Sequence, residues 1–431
     1  MGSSSLVPSL GKETISPTFP WRARGLVSSG LPFPELVSRH VDRMAQKRVF
    51  IVVSGSLAKH TDCVTRLEDA LGEKLVGINV GFPSHTPWMH VLKLAEEIKQ
   101  SSADIVITLG GGSITDGVKL AGLSLANNLT SLQALGAMSD KLKAAMQYDI
   151  DYKYVTDSDP SDVHAPPFTM INVPTTLSAG EYSPYAGGID ATDGVKKIFV
   201  HQGLFADVVI LDPELAAHSP EWVWMSSGIR AIDHCVELLA SLNPAIEKQT
   251  DEAAERGLVL VARGLLKLRK DPRDLKARLE TQFGSVFAMD GLCRGVHLGG
   301  SHAIGHELGT MNVAHGHTSC VLCPTVMKHN ARVNAHRQQR ALDALWSDVY
   351  IRETLENRCN LKQSVADLGD VLDAIFRELG MPRTLKEVGV EGEDTLRELA
   401  RKCLQDPWCR TNPIPLVTDE QVMEILKIVE K

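Results

Sequence analysis

The chain has 431 residues, of which 43% are hydrophobic and 23% charged, and its 53 acidic and 45 basic side chains give a formal net charge of −8. This length exceeds what one ordinary core needs and predicts two domains, while the composition is that of a globular rather than a disordered protein. The acidic balance argues against a general affinity for nucleic acid, which needs a basic surface, but it is compatible with an anionic small-molecule substrate in a locally positive pocket.

The first part of the chain predicts an α/β domain. Residues 1–30, which open with a Ser-rich stretch, are expected to be a flexible tail, and the domain is predicted over residues 31–213. Buried strands are expected in RVFIVVSG, KLVGINVG, ADIVITLGGGS, PFTMINVPTT and DVVILDP, and helices in HTDCVTRLEDALG, MHVLKLAEEIKQSS and ITDGVKLAGLSLAN. Strands that alternate with helices form a parallel sheet covered on both faces, and such sheets bind ligands at the carboxyl ends of their strands.

The rest of the chain predicts a helical domain. The polar segment MQYDIDYKYVTDSDPSDVHAPP is expected to be a long surface loop or hairpin. After Pro213 the strand pattern fades and the periodicity becomes helical, so an all-α domain is predicted over residues 214–431.

The location is expected to be the cytoplasm. The eight cysteines lack the spacing of a disulfide framework and are typical of free thiols in a reducing compartment. No apolar run approaches the roughly 20 residues of a membrane span, and the N-terminus has no signal-peptide pattern.

A glycine-rich turn predicts a phosphate site. Gly110, Gly111, Gly112 and Ser113 follow a predicted strand and open a helix, with Asp116 and Lys119 on its first turns. Glycine lets the backbone approach a phosphate closely, and a helix N-terminus offers free N–H groups. The alternative is a tight turn that only packs the helix on the strand.

The end of the first predicted strand bears on the choice of dinucleotide. An acidic residue near this place often binds the ribose hydroxyls, whereas here the strand ends in Ser54, Gly55 and Ser56. A 2′-phosphate would not be repelled, so both NADH and NADPH are compatible with the sequence.

Four histidines favour a site in the helical domain. His302 and His306 are four residues apart and share a helix face, His234 lies on an earlier helix, and His315 follows in a loop. Imidazole serves as a metal ligand, a proton donor or a stacking surface. One such histidine alone would more often be a buried core residue.

Several segments together resemble the iron-containing alcohol dehydrogenase superfamily. GGGSITDGVK and VPTTLSAGEYSP are similar to its glycine-rich loop and its PTTxxxGSE segment, and AIDHCVE, SHAIGHELG, AHGHTSCVLCPTVMKHN and NPIPLVTDEQVMEIL follow in the family's order. The resemblance covers roughly residues 45 to 430, and SHTPWMHV and DHCVELL are closest to the maleylacetate reductase branch. It implies a Rossmann-like dinucleotide-binding domain followed by an all-α domain, an architecture shared with dehydroquinate synthase. It also implies that Thr175, Thr176 and Leu177 border the ribose and nicotinamide.

One residue departs from the pattern of the metal-dependent members. Their three histidine ligands for a divalent ion, Fe or Zn, correspond to His234, His302 and His315, but the position of their Asp ligand is Arg230. A guanidinium cannot ligate a cation and would repel one. Either Asp233 swings in and a weakened metal site survives, or Arg230 replaces the metal and binds a substrate carboxylate or enolate oxygen; we favour the second. The third alternative is that Arg230 points outward and only pairs with Asp233 or Glu237.

The mechanism expected from the resemblance is hydride transfer. The dihydronicotinamide donates hydride to an electrophilic carbon, and negative charge develops on a conjugated oxygen. Arg230 and protonated histidines would stabilise that charge, and His234 is a further candidate catalytic residue. His306 is the first candidate for the proton donor and His302 the next.

Other functions compete with reduction of an unsaturated keto-acid by NADH or NADPH. The first is a metal-dependent alcohol dehydrogenase acting on small alcohols or aldehydes. The second is a lyase or cyclase similar to dehydroquinate synthase that uses NAD only transiently, and the third is a non-catalytic binding protein. In the preferred interpretation the partner is a small anionic substrate, without nucleic acid or membrane, and the protein is expected to be a homodimer.

Overall fold

The computed structural model describes residues 7–145, 159–190, 194, 196–243 and 246–431. Most of the polar segment predicted as a loop or hairpin, residues 146–158, lies outside the described residues. The described chain forms two compact units that divide between Ser219 and Pro220. The boundary predicted between residues 213 and 214 instead falls inside a short helix of the first unit.

The first unit contains the strands and the early helices. The strands are β1 (Thr14–Pro17), β2 (Leu26–Ser29), β3 (Val49–Val53), β4 (Leu75–Val80), β5 (Ile105–Gly110), β6 (Thr169–Pro174), β7 (Tyr185–Ile189), β8 (Lys196–Val200) and β9 (Val208–Leu211). The helices are α1 (Phe33–Arg43), α2 (Gly55–His60), α3 (Cys63–Leu71), α4 (Trp88–Ser101), α5 (Gly112–Ala126), α6 (Leu132–Ala145) and α7 (Pro213–Ala216). Each strand and helix predicted from Arg48 onward in this unit is present.

A seven-stranded sheet forms the centre of the first unit. Its order is β1-β2-β9-β6-β5-β3-β4, parallel except for the antiparallel pair β1 and β2. Strands β3 and β5 are buried along their whole length, which explains their continuous apolar sequences. Strand β4, which follows β3 in sequence, lies on one side of β3. Strand β5, which comes next, lies on the other side of β3. The direction in which successive strands are added to the sheet therefore reverses at β3.

The prediction of a flexible tail over residues 1–30 is wrong from Thr14 onward. Strand β2 pairs in parallel with β9, with Leu26 opposite Val208, and β1 pairs with β2 at the edge of the sheet. Val27 is only 2% exposed. Each strand has four residues, too few to show an alternating pattern, and the pair joins the sheet through β2, whose partner β9 lies about 180 residues away.

The second unit is helical, as predicted. Its helices are α8 (Glu221–Ala240), α9 (Lys248–Lys270), α10 (Leu275–Cys293), α11 (Gly300–Thr310), α12 (His315–Ser347), α13 (Val349–Asn357), α14 (Leu368–Glu378), α15 (Glu393–Cys403), α16 (Trp408–Thr411) and α17 (Asp419–Val429). Helix α12 is kinked at Asn334, which has non-helical backbone angles. Among the described residues no helix is long and apolar enough to cross a membrane.

Glycines let three of these helices approach closely. A Cβ added to Gly257 of α9 would lie 2.9 Å from Sγ of Cys235 on α8 and 3.0 Å from the carbonyl oxygen of Gly284 on α10. Only glycine permits such backbone contact. This packing fixes α8, the helix that contains Arg230 and His234.

Candidate functional site

The first unit brings the predicted cofactor residues together at one edge of its sheet. The amide of Ser54, after β3, donates to the carbonyl oxygen of Leu109 at 3.0 Å, and the amide of Thr175, after β6, donates to that of Gly110 at 2.9 Å. The carboxyl ends of β3, β5 and β6 are therefore adjacent, at the point where the strand order reverses. This is where open α/β sheets bind nucleotides.

The glycines of the turn are required by close contacts. A Cβ on Gly110 would lie 2.4 Å from Cδ1 of Ile114, and one on Gly111 would lie 2.9 Å from Cγ2 of Thr176. Gly112 begins α5, whose first backbone N–H groups are available to a phosphate. The packing function and the binding function of this turn are therefore compatible with each other.

Ser113 connects the turn to a neighbouring loop. Its Oγ accepts a hydrogen bond from the amide of His85 at 3.1 Å, and its carbonyl oxygen accepts one from Oγ1 of Thr86 at 3.1 Å. His85 and Thr86 both have left-handed backbone angles, with φ of 63° and 52°. The Ser113 hydroxyl retains its own hydrogen for a ligand.

Lys119 was predicted to bind the cofactor, but its ammonium group faces backbone carbonyl groups instead. Its side chain is fully buried, and Nζ donates to the carbonyl oxygens of Gly180, Ser183 and Tyr185 at 2.6, 2.8 and 2.9 Å. An ammonium group has three N–H donors, and these three carbonyl groups accept all of them. Lys119 therefore has a structural role instead of a direct contact with a cofactor. Lys119 fixes the segment that follows Leu177, which is itself 2% exposed.

Two carboxyl groups complete this polar cluster. Oδ2 of Asp116 accepts from the amide of Gly187 at 3.1 Å, and Oε1 of Glu181 accepts from Oγ1 of Thr115 at 3.1 Å. Burial raises the pKa of Glu181 to about 7. Asp116 thus also contacts the backbone near the predicted nucleotide site, and Glu181 was not predicted as a site residue although it ends the PTTLSAGE segment.

The second unit brings the four predicted histidines together. The rings of His234 and His302 stack with centroids 4.7 Å apart, those of His302 and His306 are 6.4 Å apart edge to face, and those of His306 and His315 stack at 6.4 Å. His234 lies on α8, His302 and His306 lie on α11, and His315 lies at the N-terminus of α12. The prediction that these histidines form one cluster agrees with the geometry.

Arg230 is buried in the same unit. It is 3% exposed, and its Nη1 donates to Oγ1 of Thr318 at 3.3 Å and to Oγ of Ser319 at 3.1 Å. Within the described residues, Nε has no hydrogen-bond partner and no carboxylate oxygen lies within 4.0 Å of the guanidinium. The alternative in which Arg230 points outward and pairs with Asp233 or Glu237 is therefore wrong. Burial lowers the Arg230 pKa, while Asp233 and Glu237 oppose that shift.

Asp233 lies beside His302, with its Oδ2 3.3 Å from Nδ1 of that ring, and its Oδ1 has no hydrogen-bond partner among the described residues. Its Oδ2 accepts from Oγ of Ser319 at 2.6 Å and from Oγ of Ser301 at 2.8 Å, and the residue is fully buried. These hydroxyls satisfy one carboxylate oxygen without a cation. Burial raises the Asp233 pKa.

Glu237 contacts His302, and the sequence did not reveal this contact. Oε2 lies 2.8 Å from Nδ1 of His302 and accepts from the amide of Gly299 at 3.0 Å, while Oε1 accepts from the amide of Ser301 at 2.9 Å. Glu237 therefore orients His302 and leaves Nε2 of that ring without a partner among the described residues. The available signal was its spacing of four residues from Asp233, which places both on one face of α8.

The residues present do not fit the family's divalent ion. Oxygens of Asp233 and Glu237 and a nitrogen of His302 lie within 4.8 Å of one another and could in principle hold a metal. Both oxygens of Glu237, Oδ2 of Asp233 and Nδ1 of His302 already have hydrogen-bond partners, whereas Oδ1 of Asp233 and Nε2 of His302 have none among the described residues. At the histidine positions, the buried charge of Arg230 stands where an anionic ligand is needed.

Burial also determines the protonation of two histidines. It lowers the pKa of His234 to about 3 and that of His302 well below its usual value, and Arg230 adds to both shifts. Both rings therefore favour the neutral form near pH 7. They offer neutral donors or acceptors instead: Nδ1 of His234 and Nε2 of His302 have no partner in the part of the chain that the structure describes.

His306 is held by a residue far along the chain. Its Nδ1 lies 2.8 Å from Oδ2 of Asp406, and its ring centroid is 5.3 Å from that of Trp408. The loop between α15 and α16 supplies Asp406, and Trp408 is the first residue of α16. Asp406 showed no recognisable signal in the sequence, because nothing in QDPWC marks it as the partner of a histidine 100 residues earlier.

Comparison with known proteins matches both units. The family model described as iron-containing alcohol dehydrogenase matches residues 35–213, and the model of the C-terminal region of the Fe-containing alcohol dehydrogenase family matches residues 224–429. Dehydrogenase FUM7 of Gibberella moniliformis is 36% identical over 423 residues, which cover 93% of this chain and 95% of that protein. Dehydrogenase ALT3 of Alternaria alternata is 36% identical over 400 residues, covering 88% of this chain and 98% of that protein.

Solved structures have the same fold. The maleylacetate reductase from Agrobacterium tumefaciens superposes with a TM-score of 0.70 at 22% sequence identity, covering 95% of this chain and 96% of that one. The fold predicted from the resemblance, an α/β sheet domain followed by a helical domain, is thereby confirmed. The chain belongs to the iron-containing alcohol dehydrogenase family and is a nicotinamide-dependent oxidoreductase.

Proposed function

We propose that the protein uses NADH or NADPH to reduce an unsaturated keto-acid, or a related carbonyl compound, with Arg230 in place of a metal ion. The observation that supports this most is the buried Arg230 guanidinium, which has no carboxylate oxygen of the described residues within 4.0 Å. A buried charge without an ion pair costs several kcal/mol, on the order of the penalty for one desolvated ion. An anionic substrate group would offset that cost.

The chemistry requires a positive group where charge develops. Hydride transfer to an electrophilic carbon leaves negative charge on a conjugated oxygen, which a fixed guanidinium in a buried site stabilises strongly. Arg230 is suited to this because its donors form a planar fork that matches a carboxylate or enolate. Neutral His234 and His302 add unpartnered ring nitrogens to the same unit.

The dinucleotide is assigned to the first unit. The turn from Gly110 to Ser113 would bind its pyrophosphate, and Thr175, Thr176 and Leu177 would border its ribose and nicotinamide. The end of β3 has no carboxylate at Ser54 or Gly55, which is compatible with either NADH or NADPH.

The direct test combines substrates, chelator and variants. Oxidation of NADH and of NADPH is followed with maleylacetate and with a panel of small aldehydes, before and after treatment with chelator. Turnover of the unsaturated keto-acid should be unchanged by the chelator. Arg230→Gln should reduce kcat/KM by at least about a hundredfold, since a group that stabilises developing charge contributes roughly 3–4 kcal/mol. Arg256→Gln, at an exposed position of α9, is the matched control and should leave turnover unchanged.

A second candidate is a metal-dependent alcohol dehydrogenase, which the proximity of Asp233, Glu237 and His302 favours. It predicts aldehyde turnover that the chelator abolishes. A transient use of NAD, as in a lyase or cyclase, predicts product without net oxidation of NADH.

A further inference from the structure

The environment of His306 differs from that of the other histidines of the cluster. Its side chain is 25% exposed and that of Asp406 14%, whereas His302 and Glu237 are exposed by only 1% and 2%. Both rings of α11 have a carboxylate at Nδ1, but only the His306 ring is accessible to water. A proton given up by His306 can therefore be replaced from solvent.

The carboxylate of Asp406 is fixed at both oxygens. Oδ2 lies 2.8 Å from Nδ1 of His306, and Oδ1 accepts a hydrogen bond from the amide of Trp408 at 2.9 Å. An ionised carboxylate can only accept, so Nδ1 of His306 is the donor and carries a hydrogen. The exchangeable position of the ring is then Nε2.

The plane of the His306 ring is restricted as well. Trp408 packs against it with an interplanar angle of 35°, and the ring of His315 stacks with it at 7°. Rotation about the Cβ–Cγ bond would break the hydrogen bond to Asp406 and both ring contacts. The direction in which Nε2 points is therefore set by Asp406 and its loop.

We infer that Asp406 is a positioning residue, which accepts the Nδ1 hydrogen of the doubly protonated His306 ring and so directs its Nε2–H, which delivers the proton of the reduction. This inference rests on the proposed function. The enolate carbon or alkoxide oxygen that hydride transfer from a bound dihydronicotinamide would leave takes the proton from Nε2. His306 then retains the hydrogen on Nδ1, bonded to Asp406, and a proton from solvent restores Nε2–H.

The kinetic test uses a double-mutant cycle. Asp406→Asn keeps the size of the side chain and an oxygen for the Trp408 amide, but its NH₂ group faces Nδ1 and favours the opposite tautomer. We expect kcat to fall at least about tenfold with KM changed less than about threefold, since positioned proton transfer contributes on the order of 10²–10⁴ in rate. In a His306→Ala background the same substitution should have no further effect on kcat. Asp343→Asn, an exposed position of α12, is the control and should match the parent.

A spectroscopic measurement keeps this inference separate from the proposed function. With ¹⁵N-labelled histidine, the parent protein should show a hydrogen-bonded Nδ1–H proton resonance that disappears in both Asp406→Asn and His306→Ala. If that resonance is present but no keto-acid or aldehyde is reduced, the proposed function fails while the positioning by Asp406 stands. If the resonance is absent from the parent, or Asp406→Asn lowers kcat equally in the His306→Ala background, the inference is overturned.

Discussion

Nδ1 of His302 and Oε2 of Glu237 lie 2.8 Å apart in a region where both side chains are buried. Burial and the neighbouring Asp233 raise the pKa of Glu237 to about 8, while burial and Arg230 lower the pKa of His302. Because burial disfavours charge on either side chain, the pair has no net charge near pH 7. Two backbone amides at the start of α11 also donate to Glu237, so this one side chain connects α8, α11 and the imidazole.

Replacing Glu237 should therefore destabilise the protein. In Glu237→Gln the amide oxygen can accept from one of the two backbone N–H groups, and the other is left facing an NH₂ group. The free energy of unfolding should fall by about 1–3 kcal/mol, the cost of a buried unsatisfied donor. Urea unfolding measures this loss. Glu252→Gln, at an exposed position of α9, is the control, and an equal effect in both variants would contradict the assignment.

His234 should make stability depend on pH in a definite direction. Its pKa is about 3 in the folded protein and about 6.5 in a free side chain, so between these values the unfolded chain binds the additional proton. The contribution of His234 is complete above pH 6.5 and decreases as the pH falls through that window. The decrease is about 1.4 kcal/mol for each pH unit.

His234→Gln separates this effect from that of other groups. The difference in unfolding free energy between pH 7.5 and pH 5.5 should be smaller in the variant by about 1.4 kcal/mol, because one pH unit of this interval lies below 6.5. Denaturant unfolding at the two pH values gives the comparison. Identical pH dependence in parent and variant would show that His234 is not held neutral.

The turn before α5 provides a test of the nucleotide site. In Gly110→Ala the new Cβ would lie 2.4 Å from Cδ1 of Ile114, and the φ of 153° at Gly110 is one that a residue with a Cβ rarely adopts, so the turn is strained and expected to shift. Affinity for NADH or NADPH should fall at least about tenfold, since a shifted turn misplaces several donors at once, each worth about 1 kcal/mol. Titration of dinucleotide fluorescence measures the affinity.

Gly136→Ala in α6 is the matched control for that experiment. Its Cβ would have only ordinary contacts, at 3.8 Å from the Trp88 ring, so affinity should be unchanged. If Gly110→Ala binds the dinucleotide as tightly as this control, the phosphate site does not lie at this turn.

Much of the first unit could be predicted because its strands are continuous apolar runs bounded by turns. The fully buried β3 and β5 are examples, and the glycines after β5 marked the turn that we propose as the nucleotide site. Strands β1 and β2 could not be predicted, since four residues show no period and β9, the strand that connects β2 to the sheet, is distant in sequence. Lys119 was placed correctly on α5, but sequence spacing could not show that its ammonium group faces three carbonyl groups.

In the helical unit, too, some features could be predicted from the sequence and others could not. Spacing placed His302 and His306 on one face, and the resemblance identified Arg230 as the exception. Glu237 and Asp406 were missed because their histidine partners are 65 and 100 residues away, and a carboxylate has no local pattern that marks it as the orienting group of a ring. The protonation of His234 and His302 could not be predicted from the sequence, since depth of burial is a property of the folded chain.

Restoring an acidic residue should restore a metal site. Arg230→Asp removes the buried cation and supplies a carboxylate four residues before His234, the arrangement of the metal-dependent family members that the sequence resembles. The variant should bind Zn²⁺ or Fe²⁺ at least about a hundredfold more tightly than the parent, because charge repulsion is exchanged for an anionic ligand. Isothermal titration calorimetry measures the difference, with Arg256→Asp as the control. Equal affinity in parent and variant would contradict the role given to Arg230.

The central claim is that Arg230 replaces a metal ion, and chelator treatment of the active enzyme tests it most directly. The protein is assayed for NADH and NADPH oxidation with an unsaturated keto-acid before and after exhaustive dialysis against chelator, and its iron and zinc contents are measured in parallel. We predict unchanged kcat and far less than one equivalent of either metal per chain. Loss of activity on dialysis, with recovery on adding back iron or zinc, would contradict the claim and assign the chemistry to a bound metal ion.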